Sequence, residues 1–121
     1  MEEIEEMEDP VDTRFFHQVA AVYSDVIQRG EASIQNGKSP ADTLRDMIMP
    51  LLERCQEISV AFKENHGNRA ALNSLWNQSR PYRVVIETIL RSALTIIPVD
   101  MAEQMILVTR NDYYPGTLPN I

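Results

Sequence analysis

The stretch SPADTLRDMIMPLLERCQEISVAF, residues 39–62, decides how this chain folds. Ser39 can cap a helix through its hydroxyl, Pro40 occupies the first helical position without needing an N–H, and Asp42 stands where a capping acid reaches back. The apolar residues that follow are spaced by four, three, four, three and four positions: Leu44, Ile48, Leu51, Cys55, Ile58 and Phe62. This apolar seam predicts an amphipathic helix. Because its phase continues across Pro50, we favour a kink there over a break.

Apolar residues before this segment also recur at helical spacing. An apolar stripe predicts a first helix from Arg14 to the low thirties, which Asn36-Gly37 ends and which Asp12 or Thr13 can cap. The stripe consists of Phe16, Val19, Tyr23 and Val26, widened by Phe15, Val22 and Ile27.

Further helices follow the stop signal Asn65-His66-Gly67. Asn68 can cap a third helix, and Pro81 either kinks it or restarts the chain as a fourth. Pro98 ends this region, and Asp100 can open one more short helix. The broadest apolar face in the chain lies after Pro81 and predicts the central helix: Tyr82, Val85, Ile86, Ile89, Leu90, Ala93, Leu94 and Ile97.

Strand alternation and internal repeats are both absent from the sequence. The 121 residues, 44% of them hydrophobic, suit one globular domain. We therefore predict an all-α fold, a single four- to five-helix bundle over residues 13–110 with kinks or breaks near Pro50 and Pro81. Residues 111–121 form a C-terminal tail. We expect it to fold back on the bundle, and the alternative is that it reaches out as a partner-binding peptide.

The net charge of −7 originates at the N-terminus. Seven of the 18 acidic residues lie in the first twelve positions, and the rest of the chain holds 11 acids against 11 bases. Such a short segment of like charge predicts a disordered acidic tail over residues 1–12. The tail repels phosphates, which argues against direct binding to nucleic acid.

Three observations predict the cellular compartment of the protein. Cys55 is the single cysteine, so no intramolecular disulfide forms. The N-terminus has neither the basic nor the apolar region of a signal peptide. The longest apolar stretch, residues 84–97, contains two charges and is too short for a membrane span. We expect an intracellular protein, cytoplasmic or nuclear, that does not associate with membranes.

Residue types that support catalysis are sparse. His17, His66 and Cys55 do not have the spacing of a zinc site. Cys55 lies on the apolar seam, where a thiol behaves as a small hydrophobe. The four glycines match no phosphate-binding loop. The sequence therefore predicts that the protein is not an enzyme and binds no cofactor or metal.

An interaction surface is the remaining function class. Aromatic residues and arginines are enriched at binding hot spots, and methionine suits adaptable surfaces. The candidate partner-binding residues are Trp76, Arg80, Tyr82, Arg83, Met49, Tyr113 and Tyr114. We expect a non-enzymatic helical protein–protein interaction module, an adaptor or an assembly subunit of a complex. Its partner is another protein or a second copy, and the second helix's seam offers a route to a homodimer. The alternative is an acidic regulator whose tail occupies a basic nucleic-acid-binding surface of a target protein.

Overall fold

The fold was obtained as a computed structural model that describes residues 10–109, and for residues 10–12 the backbone alone. Within this range every regular element is an α-helix, and the prediction of an all-α bundle is confirmed. The four helices are α1 (Pro10–Gln35), α2 (Pro40–Glu64), α3 (Arg69–Ala93) and α4 (Val99–Thr109). Residues 10–12 of the predicted acidic tail belong to α1, and residues 1–9 lie outside the described residues.

The predicted capping residues begin two of the helices. The Ser39 side chain accepts a hydrogen bond from the Asp42 amide at 3.1 Å, and Pro40 follows in the first turn of α2. Asn68 accepts in the same way from the Ala71 amide at 3.1 Å and begins α3. Each bond satisfies one of the amides that a helix start leaves unpaired.

Both internal prolines lie within continuous helices. Pro50 is inside α2, and Pro81 is inside α3, so the third and fourth helices considered from the sequence are one helix. Each proline lacks the N–H that would bond to the carbonyl four residues earlier. Pro81 is buried, and packing of its ring against the neighbouring helices compensates for part of that loss.

Short turns connect α1, α2 and α3, and these three helices pack against one another pairwise. The shorter α4 packs against α2 and α3 and makes no contact with α1. Two polar contacts hold α4 in place at opposite ends. Asp100 pairs with Arg45 of α2 at 3.4 Å, and the Val108 carbonyl accepts from Arg83 of α3 at 3.0 Å. Among the helices over residues 10–109, none therefore covers one side of α1.

The seam of α2 forms the centre of the core. Its six residues are all 7% exposed or less, as the spacing predicts: Leu44, Ile48, Leu51, Cys55, Ile58 and Phe62. Val85, Ile86, Met101 and Met105 meet it from α3 and α4. Because the seam faces the chain's own core, a second copy cannot pair with it in the folded protein. The homodimer route through this seam is therefore wrong.

Two of the predicted apolar stripes are only partly buried. On α1, Val26 is buried, but Phe16 is 68% exposed and Ile27 is 52% exposed. The apolar stripe is wider than the strip of α1 that α2 and α3 can cover. At the other end, α3 stops at Ala93 and leaves Leu94 58% exposed, because the chain turns there toward α4.

Candidate functional site

Trp76 and Arg83, two of the candidate binding residues, interact with each other within the bundle. They are seven residues apart on α3, which is two helical turns, and both are half-buried. The Arg83 guanidinium carbon lies 5.0 Å from the centre of the Trp76 ring. Arg83 Nε also donates to the Val108 carbonyl in the last turn of α4, where a cation suits the helix dipole. This pair secures α4.

Arg80 links α3 to the beginning of α1. Its guanidinium carbon lies 4.6 Å from the centre of the Phe15 ring, within the range of a cation–π contact. Phe15 in turn packs against Phe16, with ring centres 6.2 Å apart and planes inclined by 52°. Arg80 is itself exposed. It therefore stands at the edge of the aromatic pair and remains accessible to solvent.

The other candidate residues are dispersed. Met49 and Tyr82 are half-buried and pack against the core from α2 and α3. Tyr113 and Tyr114 lie outside the described residues. Among the described candidates, the structure joins Trp76 to Arg83.

A different apolar surface lies on α1, and we call it the outer face of α1. Three of its four large members are exposed: Phe16 by 68%, Ile27 by 52% and Ile34 by 66%. Ala20 is exposed as well, Tyr23 is half-buried, and Gly30 is buried. In sequence order the outer face consists of Phe16, Ala20, Tyr23, Ile27, Gly30 and Ile34, with spacings of four, three, four, three and four residues.

This spacing equals that of the α2 seam, and it places all six residues along one side of the helix. The sequence analysis placed Phe16, Tyr23 and Ile27 on the apolar stripe of the first helix and did not identify an exposed surface, although Ile34 continues the same line. Along its solvent side lie three exposed polar residues, His17, Ser24 and Glu31. The outer face is therefore an apolar strip with a polar margin, as in protein interfaces.

A groove of about 530 Å³ lies between α1, α2 and α3, on another side of α1. Pro50 and Pro81 both line it, together with the half-buried Arg29 and Arg54. Arg54 pairs with Glu57 at 3.1 Å, and this carboxylate raises the pKa of Arg54. The remaining lining residues include several exposed polar ones: Gln18, Asp25, Glu53 and Gln78. A binding site for a small apolar ligand would need an enclosed apolar pocket. This groove is instead open to solvent and is lined by both acidic and basic side chains.

Cys55 is placed where it cannot act as a nucleophile. The residue is completely buried, and burial raises the pKa of its thiol to about 12. The reactive thiolate is therefore absent at neutral pH. Over residues 10–109, no group of three or more His, Cys, Asp or Glu side chains is arranged to hold a metal ion. In the same range no helix has the length and apolar character to cross a membrane.

Comparison with known protein families, curated proteins and solved structures found no match to this chain.

Proposed function

We propose that the protein is a non-enzymatic helical interaction module, an adaptor or assembly subunit, that binds another protein chain through the outer face of α1. One observation carries the proposal: Phe16, Ile27 and Ile34 lie on one line of the helix and are each more than half exposed. Single exposed apolar residues are common, but a continuous apolar strip with a polar margin is typical of interaction sites.

The magnitudes indicate how large the contact must be. Full burial of one such side chain contributes about 1.5–3 kcal/mol, and these three are already partly covered. Together they supply on the order of 3–5 kcal/mol, which is close to the lower estimates for the cost of association. The contact therefore has to extend beyond the strip. Arg80 beside Phe15 is well placed to extend it, since arginine is enriched at interfaces.

The acidic-regulator alternative depends on residues 1–12, of which 1–9 lie outside the described residues. The two functions predict opposite results for two changes. Deleting residues 1–9 abolishes binding if the acidic segment is the contact, and leaves it intact if α1 is. Ile27→Glu has the reverse effect, since Ile27 is exposed and its replacement leaves the core unchanged.

Site-specific photo-crosslinking in the native host tests the proposal directly. A photoreactive residue replaces Ile27 or Ile34 on the outer face, and Val60 or Val84 as matched controls. The controls are also exposed apolar helix residues, 41% and 38% exposed, but lie on α2 and α3. We expect protein adducts from the two α1 positions and few from the controls. Equal adduct yields at all four positions, or none at α1, contradict the proposal.

A further inference from the structure

We infer that the partner of the outer face of α1 is a second copy of this chain, bound antiparallel about a two-fold axis near the middle of the helix. The inference rests on the proposed function, because it names the occupant of the same surface. It replaces the dimer through the α2 seam, which the fold excludes.

The first support is the order of side-chain sizes along the outer face. From Phe16 to Ile34 the residues read large, small, large, large, small, large, which is the same from either end. The spacings of four, three, four, three and four residues are also symmetric. A two-fold antiparallel pair requires this symmetry, because every contact between two positions occurs twice, once in each direction.

Antiparallel pairing places Phe16 opposite Ile34 of the other copy, and Tyr23 opposite Ile27. The small residue Ala20 then lies opposite Gly30 of the other copy. Beside this Gly30, the Met47 side chain of the same copy fills part of the outer face. Met47 Sδ of α2 lies 2.8 Å from the position that a Cβ on Gly30 would occupy. Large residues therefore meet large ones, and Ala20 leaves room for Met47.

The second support is the charge along the solvent margin. In the same register His17 of one copy faces Glu31 of the other, and this pair forms twice. An imidazole N–H can donate to a carboxylate, so the two groups are complementary. Ser24 lies one residue from the axis, which passes at position 25, and faces Ser24 of the other copy, where two like charges would repel each other. Asp25, at the same level of α1, lines the groove on another side of the helix, so the two Asp25 carboxylates do not meet.

The third support is the direction of the helices. Two α1 helices in antiparallel arrangement bring the positive end of each dipole beside the negative end of the other. A parallel pair would align like ends and would leave His17 and Glu31 without their counterparts. Size matching alone permits both directions, and charge and dipole favour the antiparallel one.

Sedimentation equilibrium of the full chain, from micromolar to submillimolar concentration, measures the association. We expect a monomer–dimer equilibrium. Ile27→Glu should raise the dimer dissociation constant by about 100-fold or more, because each dimer then buries two unpaired carboxylates. Val84→Glu is the matched control and should leave the constant unchanged. Circular dichroism confirms that both variants keep their helices.

Charge exchange tests the register. His17→Glu should weaken the dimer, because two carboxylates then face each other, and adding Glu31→His should restore it. A dimer in which these changes have no effect does not use this register, and the inference is then wrong.

Cysteine substitution tests the direction. With a short bismaleimide, Ser24→Cys should crosslink two copies. His17→Cys should not, since its two positions are about 24 Å apart along an antiparallel pair at 1.5 Å per residue. The wild-type chain is the control, because its Cys55 is buried. Crosslinking through both positions indicates a parallel pair and overturns the inference.

The two proposals can fail separately. A chain that stays monomeric at every concentration, yet is photo-crosslinked at Ile27 to a different protein in its host, retains the proposed function and rules out the second copy. A chain that is monomeric and gives no adduct at α1 rules out both.

Discussion

Gly30 lies where a side chain of α2 packs closely against α1. A Cβ added there would lie 2.8 Å from Met47 Sδ and 3.3 Å from Met47 Cγ. A thioether is flexible and can move, and alanine improves helix propensity by about 1 kcal/mol over glycine. We expect Gly30→Ala to change the free energy of unfolding by less than about 1 kcal/mol.

Gly30→Val tests this explanation, because its two γ-carbons would enter the space that Met47 occupies. We expect a loss of about 1–3 kcal/mol, typical of overpacking. Urea denaturation at one fixed protein concentration compares the two variants. If valine is tolerated as well as alanine, the close approach to Met47 has no energetic consequence.

Asp46 links the end of α1 to the start of α2. The Lys38 ammonium and the Ser33 hydroxyl both donate to its carboxylate at 2.6 Å. The hydrogen bond from Lys38, followed by that from Ser33, lowers the pKa of Asp46 below its usual 3.8. The stabilisation is therefore fully present above pH 3.8 and is lost as the pH falls through the lower, folded-state pKa.

We predict that the difference in melting temperature between Asp46→Asn and the wild-type chain depends on pH. At neutral pH the variant should melt at a lower temperature, and the difference should shrink as the pH drops below 3.8. Melting curves between neutral and strongly acidic pH measure it. Ser33→Ala keeps the carboxylate and removes one donor, so it should show part of the effect. A difference that is independent of pH means that the ion pair with Lys38 is not its cause.

Residue type alone could not reveal the roles of Trp76 and Arg83. Tryptophan and arginine are enriched at interfaces because they form cation–π and hydrogen-bonding contacts, and the same contacts can form within a fold. Arg83 binds internally because α4 ends beside it, which depends on how the helices pack. Phe16 and Ile27 illustrate the reverse case. Helical spacing shows which residues share a side of the helix but not how much of that side the neighbouring helices cover.

At the level of helices, the contact between Arg83 and the Val108 carbonyl should hold the end of α4 against α3. Arg83→Met keeps a long apolar side chain but removes the charge and the hydrogen bond. We expect a loss of about 1–2 kcal/mol and faster amide hydrogen exchange in the last turns of α4. Arg91→Met is the matched control on the same helix. Its side chain is 78% exposed and pairs with Glu87, so its removal should cost no more than about 0.5 kcal/mol. Equal effects of the two variants would show that Arg83 does not secure α4.

The starts of α2 and α3 and the turns before them were predictable because they depend on local chemistry, whereas α1 begins at Pro10 instead of Arg14 and α3 ends at Ala93, before Pro98. Ser39 and Asn68 cap through their own side chains, and Gly37 and Gly67 adopt φ values of +76° and +92° that favour glycine. The local sequence could not decide whether Pro81 lies inside one helix or separates two. Its ring removes one hydrogen bond of the helix, while the core contacts of the residues on both sides keep the helix continuous. That balance depends on tertiary packing.

At the scale of the whole molecule, the exposed strip on α1 is a consequence of the topology. Three long helices pack pairwise, and the eleven-residue α4 lies against α2 and α3 alone. The core is therefore covered on the side of α4, and α1 keeps an apolar side toward solvent. A second copy of α1 would cover this apolar side.

Despite its length, α4 belongs to the central core. Met101, Met105 and Val108 are at most 2% exposed and form one cluster with residues of the other three helices. Met105→Ala should therefore destabilise the entire bundle by about 2–5 kcal/mol, the cost of a large-to-small change in a core. The single tryptophan, Trp76, reports on tertiary packing through its contact with Arg83, and far-ultraviolet circular dichroism reports on helix content. At a fixed protein concentration, the fluorescence and circular dichroism signals should change together on unfolding, in the wild-type protein and in Met105→Ala alike. The reason is that α4 unfolds together with α1, α2 and α3. A fluorescence transition in Met105→Ala that precedes the loss of helicity, or an unchanged midpoint, would show that α4 is a separate unit attached to a three-helix core.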